Sequence, residues 1–154
     1  MVSELLKFEQ FTIDRLYEVL KLRVDVFVVE QNCAYPELDA FDQYAMHLLF
    51  IEEDEVIAYS RIFPPGEMYE ECTIGRVIVK QKARGKGLAK QLMQKSIDEA
   101  ERLWNVDKIK ICAQSRLEKF YSSLGFECTS DEFLEDGIPH IYMIRKKYSN
   151  KVLF

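Results

Sequence analysis

The sequence predicts a single α/β domain built on a mixed β-sheet of about seven strands with helices packed against it. Short apolar segments with strand periodicity alternate with longer segments of helical periodicity, and one strand, helix, strand succession has the order of a parallel βαβ unit. The chain has 154 residues, 48% of them hydrophobic, and contains no linker rich in proline, glycine or serine. We therefore expect one domain over residues 1–154 with a substantial core.

The first part of the chain predicts a strand, a helix and a hairpin. Residues 5–8 are expected to form a short strand, and Thr12 is placed to cap a helix whose apolar side chains recur at helical spacing over residues 13–27. After a loop rich in turn residues, further strands are expected at residues 47–51 and 56–63. Because so short a turn separates these two strands, we expect an antiparallel hairpin.

The central part of the chain predicts the βαβ unit. Residues 64–66 break the chain before a strand at residues 72–79, and a long amphipathic helix begins near Gly87. A strand at residues 109–113 follows the helix. Because βαβ units bind ligands at the carboxyl ends of their strands, the loop before the helix is the expected ligand site.

The last part of the chain predicts a short helix and two strands. Ser115 and Glu118 have the spacing of a capping box, and Gly125 supplies a left-handed helix stop. Strands are expected at residues 127–133 and 140–145, separated by a turn at residues 136–139.

One segment of this acidic chain, residues 72–97, contains no Asp or Glu. It carries seven of the 21 basic residues and surrounds the loop Arg84-Gly85-Lys86-Gly87-Leu88-Ala89. N–H groups at a helix start bind anions, and glycines let phosphate oxygens approach them closely, so we expect a phosphorylated ligand. Because the net charge is −5, we expect no nucleic-acid partner.

Cysteine and histidine spacing gives no indication of a metal site. Cys33, Cys72, Cys112 and Cys128 show no C-x-x-C spacing, and the chain has only two histidines, so we expect no metal. We expect buried thiols rather than disulfides, with Cys33 in a polar loop as the exception. The first ten residues do not resemble a signal peptide and no segment has membrane-spanning length, so we expect a cytoplasmic protein with no membrane partner.

Two motifs resemble those of the GNAT acyltransferases. The run Val77-Ile78-Val79 precedes Arg84-Gly85-Lys86-Gly87-Leu88-Ala89, which fits R/Q-x-x-G-x-G/A, and residues 120–126 fit the later F-Y-x-x-x-G-F. A narrower resemblance, to the ElaA-type branch, covers nearly the whole chain and includes residues 22–33, His47, residues 75–79 and residues 136–140. The resemblance implies the GNAT fold, with about four helices around the sheet and a splayed pair of parallel strands.

The resemblance implies acetyl-CoA, or a related acyl-CoA, as the acyl donor. The pyrophosphate would bind the backbone amides of the loop, and the pantetheine arm would follow the preceding strand. Gln114 could contact the cofactor, although a polar strand end explains it equally well. The implied cofactor-binding residues are Val77, Ile78, Val79, Arg84, Gly85, Lys86, Gly87, Leu88, Ala89 and Gln114. Rossmann and Walker loops do not fit, because each requires residues that are absent around Gly87.

Amine acylation requires an uncharged amine and a proton for the departing CoA thiolate. Tyr121 matches the family position of the general acid, and a phenol with a pKa near 10 retains its proton at neutral pH. Several GNAT enzymes have a glutamate base in the strand before the loop, but residues 72–79 contain no acid. The base is therefore open among His140, Glu30 and His47, each of which also has a purely structural explanation.

The acceptor is expected on the side of the sheet covered by residues 23–42. The predicted acceptor pocket comprises Arg23, Glu30, Gln31, His47 and His140. Acidic residues in this region, Glu30, Glu37, Asp39 and Asp42, would favour a cationic amine carried by a small molecule or a peptide.

The predicted function is N-acetyl transfer from acetyl-CoA by direct attack of the amine. One alternative is a regulatory module that binds CoA without catalysis. Another is an enzyme like the acyl-homoserine lactone synthases, which residues 22–27 also resemble and which would take its acyl group from a carrier protein. The sequence is compatible with a homodimer, although single aromatic residues such as the terminal Phe154 do not establish one.

Overall fold

A computed structural model describes residues 1–147, and Phe154 lies outside this range. Eight strands lie in the described range: β1 Val2–Lys7, β2 Met46–Glu52, β3 Glu55–Phe63, β4 Cys72–Val79, β5 Lys108–Gln114, β6 Phe126–Cys128, β7 Phe133–Glu135 and β8 Ile138–Lys146. They form one mixed sheet in the order β1-β2-β3-β4-β5-β8-β6, and β7 also pairs with β8. The α-helices are α1 Ile13–Val24, α2 Leu88–Trp104 and α3 Glu118–Ser122. The α/β class is confirmed, with one strand more and one α-helix fewer in this range than expected.

The first helix begins as its sequence predicts but ends differently. The Thr12 hydroxyl accepts a hydrogen bond from the Arg15 backbone N–H at 3.1 Å, which caps α1. The expected helix over residues 13–27 is not a single α-helix, because a π-helical turn, Asp25–Glu30, follows α1. Such wider turns are frequent at functional sites, and this one contributes Phe27 and Glu30 to the cavity described below.

Helices cover both faces of the sheet. Leu92, Met93 and Ile97 of α2 are fully buried in the larger apolar cluster on one face. Val19 and Leu22 of α1 belong to a second cluster on the other face. The sheet therefore lies between two cores, and its central strands are buried on both sides.

A β-bulge in β4 reverses the direction of its side chains. Arg61 of β3 pairs with Gly75 and Tyr59 pairs with Ile78, so two residues of β4, Arg76 and Val77, lie opposite one residue of β3. Arg76 has a φ of +49°, an uncommon conformation for a residue other than glycine. Beyond the bulge, odd-numbered rather than even-numbered residues of β4 contact the α2 side.

The parallel strands β4 and β5 separate after a short ladder. They pair only at Cys72 with Ile109 and at Thr73 with Lys110, although β4 continues to Val79 and β5 to Gln114. The remaining length of the two strands diverges and leaves a cleft at their carboxyl ends. This arrangement confirms the expected splayed pair.

Two local predictions near the carboxyl end of the chain were wrong. Ser115 does not cap the short helix, because residues 115–117 form a 3₁₀ turn and α3 begins only at Glu118, without a side-chain cap. The strand expected at residues 127–133 is divided into β6 and β7, which both pair with β8. The following turn is shorter than expected, because β8 begins at Ile138.

Burial differs among the four cysteines, all of which are free thiols. Cys72 is buried as expected, whereas Cys33 and Cys112 are half-buried. Cys128 is exposed, so its predicted burial was wrong. Among the helices described within residues 1–147, none is both long and apolar enough to cross a bilayer.

Candidate active site

The cleft between β4 and β5 opens into a cavity of about 840 Å³. The π-helical turn and the loop after it form one wall, and β4 with the glycine loop forms another. β5, α3 and the β7–β8 turn complete it. Of the predicted site residues, this cavity is lined by Glu30, Gln31, Val77, Ile78, Val79, Arg84, Gly85, Gly87, Leu88, Ala89, Gln114, Tyr121 and His140.

The glycine loop presents backbone rather than lysine side chains to the cavity. Gly85 and Gly87 have φ values of +82° and +77°, and a Cβ on either would meet nothing within 4 Å, so the space above the loop is open. Helix α2 begins directly after Gly87, which places its first N–H groups beside the cavity. Lys86 does not line this cavity, so its predicted cofactor contact would be through backbone alone.

Several basic side chains of the acid-free segment already have acidic partners. Lys80 and Lys82 pair with Glu55 at 2.6 and 2.7 Å. Arg84 donates to the Val79 carbonyl at 2.8 Å and pairs with Glu30 at 2.9 Å. Glu30 and Arg84 therefore already contact each other at the edge of the cavity.

Tyr121 lies on α3 with its ring at the edge of the cavity. The side chain is 8% exposed and contacts Phe120 and Phe126 edge-to-face. Burial raises the pKa of Tyr121 to about 12. Its hydroxyl therefore retains its proton throughout the physiological pH range.

His140 lies in β8 with one ring nitrogen fixed and the other available. Its Nδ1 is 2.7 Å from the Ile138 carbonyl oxygen, which can only accept, so Nδ1 carries the proton in the neutral ring. The lone pair of the neutral imidazole is then on Nε2, which lies 3.7 Å from a carboxylate oxygen of Glu135. Nε2 is therefore the ring nitrogen that can accept a hydrogen bond from a group in the cavity.

His47 and Arg23 are placed away from the cavity, contrary to the predicted acceptor pocket. His47 is buried, with Nδ1 2.6 Å from the Tyr59 hydroxyl and Nε2 2.9 Å from the Asp42 carbonyl. Burial lowers the pKa of His47. Both ring nitrogens are occupied, so His47 has a structural role.

Six alternating charges form a closed ring beside the cavity, which we call the ion ring. Arg23 contacts Glu37 at 2.8 Å and Asp42 at 2.7 Å, and Arg61 contacts Asp42 and Asp39 at 2.8 Å each. Arg76 closes the ring with contacts to Glu37 at 2.7 Å and Asp39 at 3.5 Å. The members of the ion ring are Arg23, Glu37, Arg76, Asp39, Arg61 and Asp42.

The ion ring changes the expected electrostatics of the acceptor side. Glu37, Asp39 and Asp42 were expected to attract a cationic amine, but three arginines neutralise them. Glu30 is likewise paired with Arg84. The expectation of an acidic field from these four residues was therefore wrong.

A cluster of three possible metal ligands also lies in the cavity. The Cys112 Sγ is 3.5 Å from a Glu135 carboxylate oxygen, and ligand atoms of Cys112, Glu135 and His140 all lie within 4.8 Å of one another. Sequence spacing did not predict this cluster, because strand pairing rather than a local motif brings the residues together. Burial and the neighbouring Glu135 raise the pKa of Cys112 to about 12, which disfavours a thiolate nucleophile in the absence of a metal.

Comparison with known proteins agrees with the geometry of the cleft. A family model described as an acetyltransferase (GNAT) domain matches residues 20–147. The chain belongs to the GNAT acetyltransferase family. Protein ElaA of Escherichia coli K12 is 39% identical to this GNAT domain over 143 residues, which cover 92% of this chain and 94% of ElaA.

Solved structures show the same similarity. An acyl-CoA N-acyltransferase from Pseudomonas aeruginosa is 38% identical, with a TM-score of 0.89 over 94% of this chain and 98% of the other. Escherichia coli ElaA is 37% identical, with a TM-score of 0.88, and the match covers 94% of this chain and 99% of ElaA. The CoA-dependent acyl-homoserine lactone synthase BjaI has a TM-score of 0.77, with a match that covers 97% of this chain and 84% of BjaI. Because the two are only 18% identical, this similarity establishes a shared fold alone.

GNAT enzymes use an acyl-CoA, and the cleft suits one. The open glycine loop and the start of α2 provide backbone donors for a pyrophosphate. The splayed part of β4 leaves backbone groups of Val77 and Val79 without a β5 partner. The motifs predicted these residues, whereas Arg61 and Glu135 lie in no motif, and Arg76 lies in the resembling segment 75–79 without a predicted role in the site.

We expect Asp39 to contribute to acid sensitivity. Burial alone would raise the pKa of Asp39, but its hydrogen bonds and charge contact with Arg61 lower it to about 2. Because this pKa is lower in the folded than in the unfolded chain, the stabilisation is present above about pH 4 and is lost as the pH falls through about 2. Urea unfolding between pH 5 and pH 2 should therefore show a smaller loss of stability for Asp39→Asn than for wild type. The exposed Asp131→Asn is the control, and parallel curves for wild type and Asp39→Asn would contradict the assignment.

Proposed function

We propose that this GNAT domain transfers an acetyl group from acetyl-CoA to a primary amine by direct attack in the β4–β5 cleft. The observation that supports it most is the early end of the β4–β5 ladder, after two residue pairs, beside an open glycine loop and Tyr121. A cleft between diverging strands can accept an extended thiol ester from one side and an amine from the other. The reaction then needs one proton donor and one proton acceptor at its centre.

The donor would bind mainly through backbone groups. Amides of residues 84–89 would hold the pyrophosphate, with the N-terminus of α2 adding favourable electrostatic potential. The unpaired backbone of residues 77–79 would bind the pantetheine amides in the manner of a partial extra strand. Gln114, whose side chain bonds to Gln31 at 3.3 Å, would lie at the far side of the cleft.

Tyr121 is the proposed general acid. When the amine nitrogen attacks the thioester carbonyl, the C–S bond breaks and the sulfur needs a proton. A buried phenol with a raised pKa is protonated at neutral pH and can donate to a thiolate. The apolar contacts of Tyr121 with Phe120 and Phe126 fix its ring, so its position is determined before substrate binds.

His140 is the proposed general base. An alkylammonium with a pKa near 10.4 leaves only about one amine in 10³ uncharged at pH 7.4, so a proton acceptor accelerates attack. The Nδ1–H bond to the Ile138 carbonyl orients the His140 ring, and the lone pair is then on Nε2, which lies 3.7 Å from a Glu135 carboxylate oxygen. Glu30 is the weaker candidate because Arg84 pairs with it.

The acceptor is proposed to be a primary amine of low charge. Since the ion ring neutralises most acids near the cavity, Glu135 and Asp136 are the lining carboxylates that have no Arg or Lys partner among the described residues. Both lie at the β7–β8 turn beside His140. One ammonium group would suit this pair better than a polycation, whether it belongs to a small molecule or a peptide.

A panel of amines tests the activity. Monoamines, peptide N-termini, lysine side chains and polyamines should be incubated with acetyl-CoA, and acetylated product should be measured by mass spectrometry. We expect product above the uncatalysed background with at least one singly charged amine, and lower kcat/KM with polyamines. Binding of acetyl-CoA without product on any acceptor would instead support a CoA-binding regulatory module.

Replacement of Tyr121 tests the acid. Tyr121→Phe keeps the ring and its packing but removes the hydroxyl that would donate the proton. We therefore expect kcat to fall by about 10²- to 10³-fold with little change in acetyl-CoA affinity. The exposed Tyr17→Phe is the matched control and should retain wild-type turnover. Wild-type kcat in Tyr121→Phe would exclude the proposed role.

Replacement of Gly87 tests the cofactor loop. An alanine there must adopt a φ near +77°, which costs about 1–2 kcal/mol and would shift the loop amides, so we expect acetyl-CoA affinity to fall about 5- to 20-fold. Gly66→Ala introduces alanine at a φ of +90° outside the cavity and controls for strain alone. Calorimetric titration with acetyl-CoA gives the comparison, and equal affinities in the two variants would count against the loop as the pyrophosphate site.

A further inference from the structure

We propose that Cys112, Glu135 and His140 form a zinc-binding site on the acceptor side of the cavity, and that zinc bound there inhibits acyl transfer. The three residues supply a thiol, a carboxylate and an imidazole, which are the ligand types that zinc takes in proteins. The site uses neither the glycine loop nor Tyr121. It is therefore separate from the groups proposed to bind and activate the donor.

Strand pairing holds the three side chains on one face of the sheet. Gln114 of β5 lies opposite His140 of β8, and Cys112 lies opposite Tyr142, so Cys112 and His140 are diagonal neighbours. Glu135 of β7 lies opposite Ile138, two residues before His140 on the same face. Rigid strands thus determine the spacing of all three candidate ligands.

The distances suit a tetrahedral ion after small side-chain rotations. Ligand atoms that bond zinc at 2.0–2.3 Å lie about 3.5 Å from one another. The Glu135 carboxylate oxygen is 3.5 Å from the Cys112 Sγ and 3.7 Å from the His140 Nε2. All three ligand atoms lie within 4.8 Å of one another, so only a modest approach of Cys112 and His140 is required.

The orientation of His140 adds independent support. Metal-binding histidines usually donate their other ring N–H to a carbonyl or carboxylate, which fixes the tautomer. His140 has this arrangement, because Nδ1 bonds to the Ile138 carbonyl at 2.7 Å and Nε2 is directed to the cluster. Among the described residues, Glu135 has no Arg or Lys partner that zinc would have to displace.

Zinc is favoured over magnesium or calcium because thiolate and imidazole are poor ligands for those hard cations. On binding, the Cys112 thiol loses its proton to solvent, and sulfur, nitrogen and oxygen replace water molecules on the ion. Three protein ligands leave a fourth position toward the cavity for water or an acceptor group.

The inhibitory effect rests on the proposed function. Zinc on Nε2 would occupy the lone pair with which His140 accepts the amine proton, and the ion would also repel an ammonium. Metal binding itself does not depend on that function. A binding readout and an activity readout therefore test the two parts separately.

Cobalt titration tests the binding. Chelator-treated, reduced protein is titrated with Co²⁺, and we expect one equivalent to produce a thiolate-to-cobalt charge-transfer band that one equivalent of Zn²⁺ removes. Cys112→Ser should abolish the band and weaken zinc affinity by at least about tenfold, and Glu135→Gln should also weaken it. Cys128→Ser replaces the exposed thiol and should keep both the band and the affinity.

Several results would overturn the site. A band that persists in Cys112→Ser, a band lost in Cys128→Ser, or zinc affinity unchanged in Glu135→Gln would each do so. Circular dichroism of each variant identifies unfolding, and Glu135→Gln gives an independent test if Cys112→Ser does not fold.

Zinc sensitivity of turnover tests the inhibition. The ratio of rates with and without one equivalent of Zn²⁺ should be well below one for wild type and Cys128→Ser, and close to one for Cys112→Ser. Equal ratios in wild type and Cys112→Ser would overturn the inhibitory part. Cobalt binding in a protein without turnover on any amine would leave the metal site intact and refute the proposed function instead.

Discussion

The bulge in β4 at Arg76 determines the shape of the whole cleft. One extra residue opposite β3 turns the later side chains of β4 to the other face and bends the strand away from β5. Without this divergence, the ladder would continue and its hydrogen bonds would close the cleft. The positive φ of Arg76 is an unfavourable conformation, so other interactions must hold it.

The ion ring supplies interactions of that kind. From its strained backbone position, the Arg76 side chain contacts both Glu37 and Asp39. Glu37 also pairs with Arg23, and Asp39 also pairs with Arg61. Buried ion pairs contribute little net stability, because the cost of desolvation offsets their attraction. Removing one partner, however, leaves an unpaired buried charge and costs about 3–5 kcal/mol. The ring thus favours one conformation, in which α1, the loop after it and two strands meet around the bulge. The ring also leaves the acceptor side nearly neutral. Acceptor specificity would then depend on Glu135 and Asp136 at the β7–β8 turn.

Much of the fold and of the donor side could be predicted from the sequence, because local patterns encode them. The Thr12 cap, the bounds of β4, the start of α2 and the left-handed Gly125 each depend on residues that are close in the chain. On the acceptor side, the cavity is lined by Glu30, Gln31 and His140 as predicted, but its charge pairing could not be predicted, because that pairing depends on strand register and on charges far apart in sequence. Arg23 and Glu37 are separated by 14 residues and Arg76 and Glu37 by 39, and no periodicity marks such pairs. The Cys112, Glu135 and His140 cluster escaped prediction for the same reason.

A crystal structure with a stable thioether analogue of acetyl-CoA would test directly whether the β4–β5 cleft binds the acyl donor. We expect the pyrophosphate on the amides of residues 84–89 and the pantetheine arm along residues 77–79 between the diverging strands. The analogue's sulfur should lie within about 3.5 Å of the Tyr121 hydroxyl. Its acetyl group should face His140 across the cavity. An analogue bound outside the β4–β5 cleft, or a sulfur beyond the reach of Tyr121 in an otherwise ordered complex, would contradict the account.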